Sequence, residues 1–341
     1  MRVIIDIAHP AQLNFLKHAL SRLRQEHRVH VSYLKRGMLP DIIRQEFHEY
    51  DLVCIGEHRG SVASILYHAN LLRLVKFIRY IYLNHIEVGV NGGVPLGFAL
   101  KLLGRRHVQF NDDIERKLTI FLERISSDRL VVFPDFIVLP KYQKMKNLSF
   151  VNALKEWAYL SPSQFTPDPS IPQAFNLSQG RYIFLREVSN KTINYMGQET
   201  GLICKYQESI VSIGLQVVLS LEDKTTRALY PNDWLILEEP VQGIHSIMYY
   251  ARFVVSSGDS MAREGAMLGV DSIYCGMRDM IANRYLARYG LFHWVRNEKD
   301  LKQILAEAGK CDRELYRNNL LNTWIDVNDL IVSTINSQNR R

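Results

Sequence analysis

The sequence predicts an α/β protein made of two Rossmann-like domains, with mostly parallel sheets facing across a cleft. Three observations predict it. Short apolar runs alternate with amphipathic segments along nearly the whole chain, which is the pattern of βαβ units. The 341 residues leave room for two domains of ordinary size. The alternation breaks once, at Ser161-Pro162-Ser163-Gln164-Phe165-Thr166-Pro167-Asp168-Pro169, where three prolines in nine residues exclude a helix. We therefore expect a first domain over 1–163 and a second over 175–315. A helical segment over 316–341 is expected to pack back on the first domain.

The elements follow in order. Val3-Ile4-Ile5-Asp6-Ile7 reads as a buried strand, and Leu13, Leu16, Leu20 and Leu23 recur at helical spacing after it. Val29-His30-Val31-Ser32-Tyr33 and Leu52-Val53-Cys54-Ile55 read as strands. Residues 62–83 read as a long helix, Val88-Gly89-Val90 as a strand and Pro95–Leu103 as a helix. His107–Phe110 and Leu130–Val132 complete the first set of strands, with a short helix between them from near Ile114. In the second domain the strands are Tyr182–Leu185, Gln216–Leu219, Trp234–Leu237, Phe253–Val255 and Ser272–Cys275. Helices fall near 198–212 and from about 260. In such sheets ligands bind beyond the carboxyl ends of the strands.

Composition limits the function classes. Hydrophobic residues make up 47% and charged residues 23%, the balance of a protein with real cores. The formal net charge of +7 and a pI near 9.1 point to anionic partners. Cys54, Cys204, Cys275 and Cys311 are too dispersed for a zinc knuckle or a dithiol motif, so reduced, mostly buried thiols are expected. The chain opens directly into a strand pattern, without a signal peptide, and no stretch of 18 uncharged apolar residues could span a membrane. The basic residues are dispersed and no recognition helix or aromatic platform stands out, so nucleic acid is not expected.

The stretch richest in chemistry runs from Val254 to Gly269. A strand ends in Ser256-Ser257-Gly258-Asp259-Ser260 and turns into a helix. Small side chains let a ligand reach the backbone, and the first helical amides suit a diphosphate. Arg263 can pair with phosphate, and Glu264 can accept hydrogen bonds from a ribose diol. The alternative is a helix capped by Asp259 or Ser260 and bearing two solvated charges. Arg186 ends a strand and is a further phosphate candidate. Asn91-Gly92-Gly93 follows a strand and allows close backbone approach, or simply a tight turn. In 62–83, Leu66, Leu71, Leu72, Leu74, Val75 and Phe77 alternate with His68, Arg73, Lys76 and Arg79. That pattern fits either a helix on an anionic membrane surface or a core helix with a solvated basic face.

The strand, the Ser/Gly loop and the Arg-Glu-Gly-Ala and Leu-Gly-Val run resemble the nucleotide-binding segment of GT-B-type sugar-nucleotide proteins. With Val-Gly-Val-Asn-Gly-Gly from Val88, His-Val-Gln-Phe-Asn-Asp-Asp-Ile-Glu-Arg-Lys from His107, Lys155–Leu160 and Phe184–Glu187, the chain is similar to an uncharacterised microbial GT-B-like family. That family, a domain of unknown function, is often linked to surface-polysaccharide synthesis. The resemblance runs from Asp6 to about Arg278.

It implies that Asn111, Asp112 and Asp113 face the cleft, alongside Glu115, Arg116 and His9, with His9 a candidate base or acceptor contact. A more distant resemblance is to non-hydrolysing UDP-N-acetylglucosamine 2-epimerases, in which Asp112 and Glu115 would take the places of catalytic carboxylates. Two epimerase residues are absent: an acid where Gly92-Gly93-Val94 stands, and a histidine near Phe184–Val188.

The resemblances imply a metal-independent, cytoplasmic glycosyltransferase with Asp112, Glu115 and His9 as catalytic residues. It would use a nucleotide sugar, UDP-linked, as substrate and require no cofactor. The acceptor would be a glycan or a lipid-linked molecule, with peripheral contact at the inner face of the cytoplasmic membrane. A 2-epimerase-like enzyme and a non-catalytic sugar-nucleotide-binding protein of a polysaccharide assembly complex are the alternatives.

Overall fold

A computed structural model describes the chain apart from residues 58–69, 136–145, 191–194, 196, 239–240, 309–310 and 338–341. The chain divides into two units, Met1–Tyr159 with Trp324–Arg341, and Leu160–Thr323. The return to the first unit falls at Trp324 rather than at 316.

In the first unit β1 (Arg2–Ile7) carries apolar residues on both faces, and Val3, Ile4, Ile5 and Ile7 are wholly buried. A strand buried on both sides must be central. It pairs in parallel with β2 (Arg28–Lys35) on one side and β4 (Val88–Asn91) on the other. The sheet is completed by β3 (Asp51–Glu57), β5 (Arg106–Asn111), β6 (Arg129–Val132) and β7 (Leu148–Phe150), in the order β3-β2-β1-β4-β5-β6-β7.

Right-handed crossovers that leave β1 in opposite directions place their helices on opposite faces. One layer holds α1 (Pro10–Leu23), α2 (Leu39–Glu46) and the final helix of the chain. The other holds α3 (Leu72–Leu83), α4 (Gly93–Leu102) and α5 (Lys117–Ser126), each packed on the next. The short α6 (Trp157–Leu160) ends the first run of this unit.

The second unit has α7 (Ser170–Ala174), β8 (Tyr182–Glu187), α8 (Gln207–Val211), β9 (Gln216–Leu221) and β10 (Leu235–Ile236). These are followed by α9 (Ile244–Tyr250), β11 (Phe253–Ser256), α10 (Asp259–Met267), β12 (Ser272–Tyr274), α11 (Ile281–Ala287) and β13 (Phe292–Trp294). Two further helices, α12 (Glu298–Glu307) and α13 (Arg313–Thr323), close the unit. Its parallel sheet runs β10-β9-β8-β11-β12-β13. Then α14 (Val327–Asn336) rejoins the first unit. There it packs on α1, Trp324 meets Trp157 edge to face at 5.2 Å, and Asn328 donates to the Ala158 carbonyl at 2.8 Å.

Both sheets are therefore doubly wound, with the strand order reversing beside β1 in one and beside β8 in the other. Ligand crevices form at such reversals.

Several expectations change. Strands β7 and β13 have three residues each, too few for a readable alternation. The helix expected from near Ile114 begins at Lys117, because Asn111 Oδ1 accepts from the Asp113 amide at 2.6 Å and holds the intervening residues in a turn. Of the helix expected over 62–83, residues 62–69, with Leu66 and His68, lie outside the described residues. Arg73 is not on a solvated face. It is buried, bonds both Asp6 carboxylate oxygens at 2.6 and 2.9 Å, and donates from Nε to the Ile55 carbonyl at 2.6 Å. The guanidinium balances the charge of a carboxylate that β1 forces into the core.

Candidate functional site

At the carboxyl edge of the first sheet, the residues after β1, β4 and β5 come together. Asn91, Gly92 and Gly93 have φ values of +57°, +75° and +58°. A Cβ on Gly92 would lie 2.7 Å from Leu96 Cβ and 2.9 Å from Asp6 Cβ, so only glycine fits. Asn91 is braced twice: its Oδ1 accepts from the Phe110 amide at 3.1 Å, and its carbonyl accepts from His107 Nε2 at 2.6 Å. His107 Nδ1 then faces Ser127 Oγ at 2.9 Å, and burial lowers the imidazole to about 4. Expected as a substrate contact, Asn91 is buried and holds the loop through its side-chain oxygen and its backbone carbonyl. Gly92 and Gly93 are half-buried, and the Gly93 amide donates to Gln109 Oε1 at 3.1 Å.

Asn111 uses both ends of its amide, accepting from Asp113 and donating to Glu123 Oε2 at 2.6 Å. Glu123 is buried on α5 and was not foreseen. Burial pushes it up to about 7; the Asn111 hydrogen bond opposes this, while Asp112 and Asp113 reinforce it. The visible signal was a charged residue in register with Ile120 and Ser126 on the buried face of α5.

Asp112 is half-buried and meets Lys155 Nζ at 2.5 Å, a partner brought from a distant part of the chain with no local signal. Asp113 pairs with Arg116 at 2.8 Å, and Glu115 stands exposed in the same turn. A small cavity of about 70 Å³ opens among Gln12, Phe15, Asn111, Asp112 and Lys155.

His9 caps α1, its Nδ1 accepting from the Ala11 amide at 3.2 Å. Loss of hydration around the ring, then the charges of Arg36 and Lys155, lower its imidazole to about 4, against a smaller upward pull from Asp112. A neutral ring accepting at Nδ1 carries its proton on Nε2, so His9 presents a donor and not a base.

In the second unit the loop after β11 faces largely inward. Ser256 Oγ donates to the Gly258 carbonyl at 2.7 Å and accepts from its amide at 3.0 Å. Ser257 Oγ donates to Glu187 at 2.8 Å and accepts from the Val188 amide at 2.9 Å. A Cβ on Gly258 would lie 2.4 Å from Val188 Cγ1, which fixes glycine there too.

Asp259, expected as a cap or ligand, is wholly buried and receives Tyr195 Oη at 2.5 Å and Arg263 at 2.8 Å, with Arg278 at 3.5 Å. Burial raises its affinity for a proton, but these two arginines and the two hydrogen bonds outweigh it and hold the carboxyl below its ordinary value. Arg263 is equally buried and also reaches Asn283 at 2.9 Å, so it braces α10 internally where a phosphate contact was expected.

The residue before α10, Gly258, makes no side-chain cap, and Ser260 is half-exposed on the first turn. Glu264, one turn on, faces His245 Nε2 at 3.3 Å, and the His245 ring meets Phe165 at 6.1 Å. Arg186 is half-buried and donates to Ser220 Oγ at 2.6 Å. Among the described residues no group of three His, Cys, Asp or Glu side chains could hold a metal ion.

Two Rossmann-like units with parallel sheets define the GT-B class of α/β proteins, and known structures share this fold. UDP-N-acetylglucosamine 2-epimerase from Rickettsia bellii is similar at 11% identity and a TM-score of 0.69, covering 99% of this chain and 96% of that one. The Neisseria meningitidis UDP-GlcNAc 2-epimerase bound to UDP-GlcNAc is similar at 12% identity and 0.66, covering 99% and 100%. The spinosyn rhamnosyltransferase SpnG, complexed with spinosyn aglycone, is similar at 13% identity and 0.64, covering 98% and 100%. Residues 200–339 match the family described as "Protein of unknown function (DUF354)". No curated protein matches the chain in sequence.

Proposed function

We propose that the protein is a glycosyltransferase that moves a sugar from a nucleotide sugar, UDP-linked in the first instance, to a glycan or lipid-linked acceptor in surface-polysaccharide synthesis. The observation that carries this reading is the start of α10. It opens at a strand end beside the switch point, is uncapped by any side chain, and follows serines that hold the loop from within. A diphosphate would take the first amides of α10 and the Ser260 hydroxyl. Glu264, steadied by His245, would accept hydrogen bonds from the ribose. Stabilising the leaving diphosphate by fixed amides gives the metal no required part.

In the first unit, Asp112, Glu115 and the His9 Nε2 proton would orient hydroxyls, while Glu123, titrating near neutrality, suits the base that takes the acceptor proton. UDP or a UDP-sugar should raise the melting temperature by several degrees. Absence of any shift with UDP, GDP, CMP and dTDP or their sugars would overturn the reading.

A 2-epimerase-like reaction is the second reading, supported by the place of Asp112 and Glu115 after β5. Against it stand Gly92 and Gly93 in place of an acid and Arg186 on a strand that lacks the histidine. Solvent deuterium entering C2 of the sugar would establish it; a transferase incorporates none.

A further inference from the structure

From the outward face of α3, α4 and α5 we infer that the first unit docks on an anionic lipid bilayer through this whole helical layer. On α3 and at its N-terminal cap, the apolar side chains Leu71, Val75, Tyr82 and Leu83 are 54%, 59%, 70% and 60% exposed. They share one arc with the exposed Lys76 and Arg79, opposite the buried Phe77 and Ile81. On α5, Leu118 and Phe121 are 71% and 52% exposed, next to Lys117, with the Arg124 guanidinium 5.9 Å from the Phe121 ring centroid. Between them α4 ends in exposed Lys101 and Leu102. Helices α3 and α4 contain no acidic residue, and the single one of α5, Glu123, is buried. Every charge this layer turns outward is thus positive.

The opposite layer of the same sheet differs. There Lys17 pairs with Glu46 at 3.1 Å, Arg22 pairs with Asp329, and Met38 is the single large apolar side chain exposed among the described residues of α1, α2 and α14 or at their caps. An ordinary solvated face balances its charges and hides its large apolar groups, as this opposite layer does. Apolar groups set among unbalanced cations suit the headgroup boundary of an anionic membrane, where the rings and aliphatic chains enter the acyl region and the cations meet phosphate. The surface therefore extends past the single helix expected over 62–83, and it stands whether or not the sugar-nucleotide reading holds.

The full chain should co-sediment with phosphatidylglycerol-containing vesicles at low salt, and much less with pure phosphatidylcholine. Lys76→Glu/Arg79→Glu should weaken binding more than tenfold, at roughly fivefold per cation. Val75→Asp/Phe121→Asp should abolish it, with circular dichroism unchanged. Lys17→Glu/Arg22→Glu, the same charge change on the opposite layer, should cost less than about threefold. Failure to bind anionic vesicles would overturn the inference, as would equal loss in the control. So would light scattering that shows a dimer dissociated by Val75→Asp/Phe121→Asp, since a second copy would then cover the face.

Discussion

Glu123 binds its proton more tightly in the fold than in the unfolded chain, since burial lifts it from 4.5 to about 7. Its contribution to stability is full below pH 4.5 and is lost as pH rises through 7. Glu123→Gln removes that loss, so urea unfolding at pH 8 should show the variant more stable by up to about 3 kcal/mol, and nearly unchanged at pH 4. If Glu123 is the base, the same variant should lose roughly a hundredfold or more in turnover, and the rise of wild-type activity near pH 7 should vanish with it. Gly92→Ala tests the loop differently. The positive φ and the contact with Leu96 Cβ together should cost about 2–4 kcal/mol, read as a fall in melting temperature.

The orientation of α10 depends on a buried ion pair. Removing Arg263 leaves the buried Asp259 carboxylate with only the longer 3.5 Å ion pair to Arg278, so Arg263→Met should destabilise the second unit by about 3 kcal/mol, the lower end of the cost of breaking a buried pair. The double variant Asp259→Leu/Arg263→Met should recover much of this, because the buried carboxylate is then gone and Arg278, the other cation it met, is partly exposed. Chemical denaturation of the three variants would measure it. Glu264→Gln keeps a hydrogen-bonding side chain of the same size opposite His245, which lies 3.3 Å away. It should leave the melting temperature within a degree or two while weakening nucleotide binding about 10- to 100-fold, the scale of hydrogen bonds to a charged group. Isothermal titration with UDP is the measurement. Loss of binding in Arg263→Met but not in Glu264→Gln would show that α10 acts through its position and not through this carboxylate.

The chain leaves the first unit at Tyr159 and returns at Trp324, so the end of the sequence belongs to the fold of its beginning. Truncation after Thr323 removes Trp324 from Trp157, Asn328 from the Ala158 carbonyl, and the Asn336 amide that meets His27 Nε2 at 2.7 Å. It also uncovers the buried side of α1 against which α14 packs. Calorimetry on the truncated chain should show the melting transition of the first unit lowered by 10 °C or more, with that of the second unit little changed.

Much of the architecture is legible without coordinates. Apolar runs such as Val3–Ile5 and Phe253–Val255 have no polar face to give to water, so they must be central parallel strands, and the helices between them follow from spacing. Gly92 and Gly258 mark tight backbone because no other residue fits there. The chemistry of the candidate sites was not legible in the same way. Asn91, Asp259 and Arg263 read as ligand groups but face inward, while Glu123, which the sequence does not single out, sits behind Asn111, and Lys155 lines the small cavity beside Asp112. Local sequence sets which residues are apolar and how they repeat, and those fix strands, helices and their order. Whether a charge meets solvent, a ligand or a buried partner depends on contacts between residues as far apart as Asp112 and Lys155, and only the packed fold decides those.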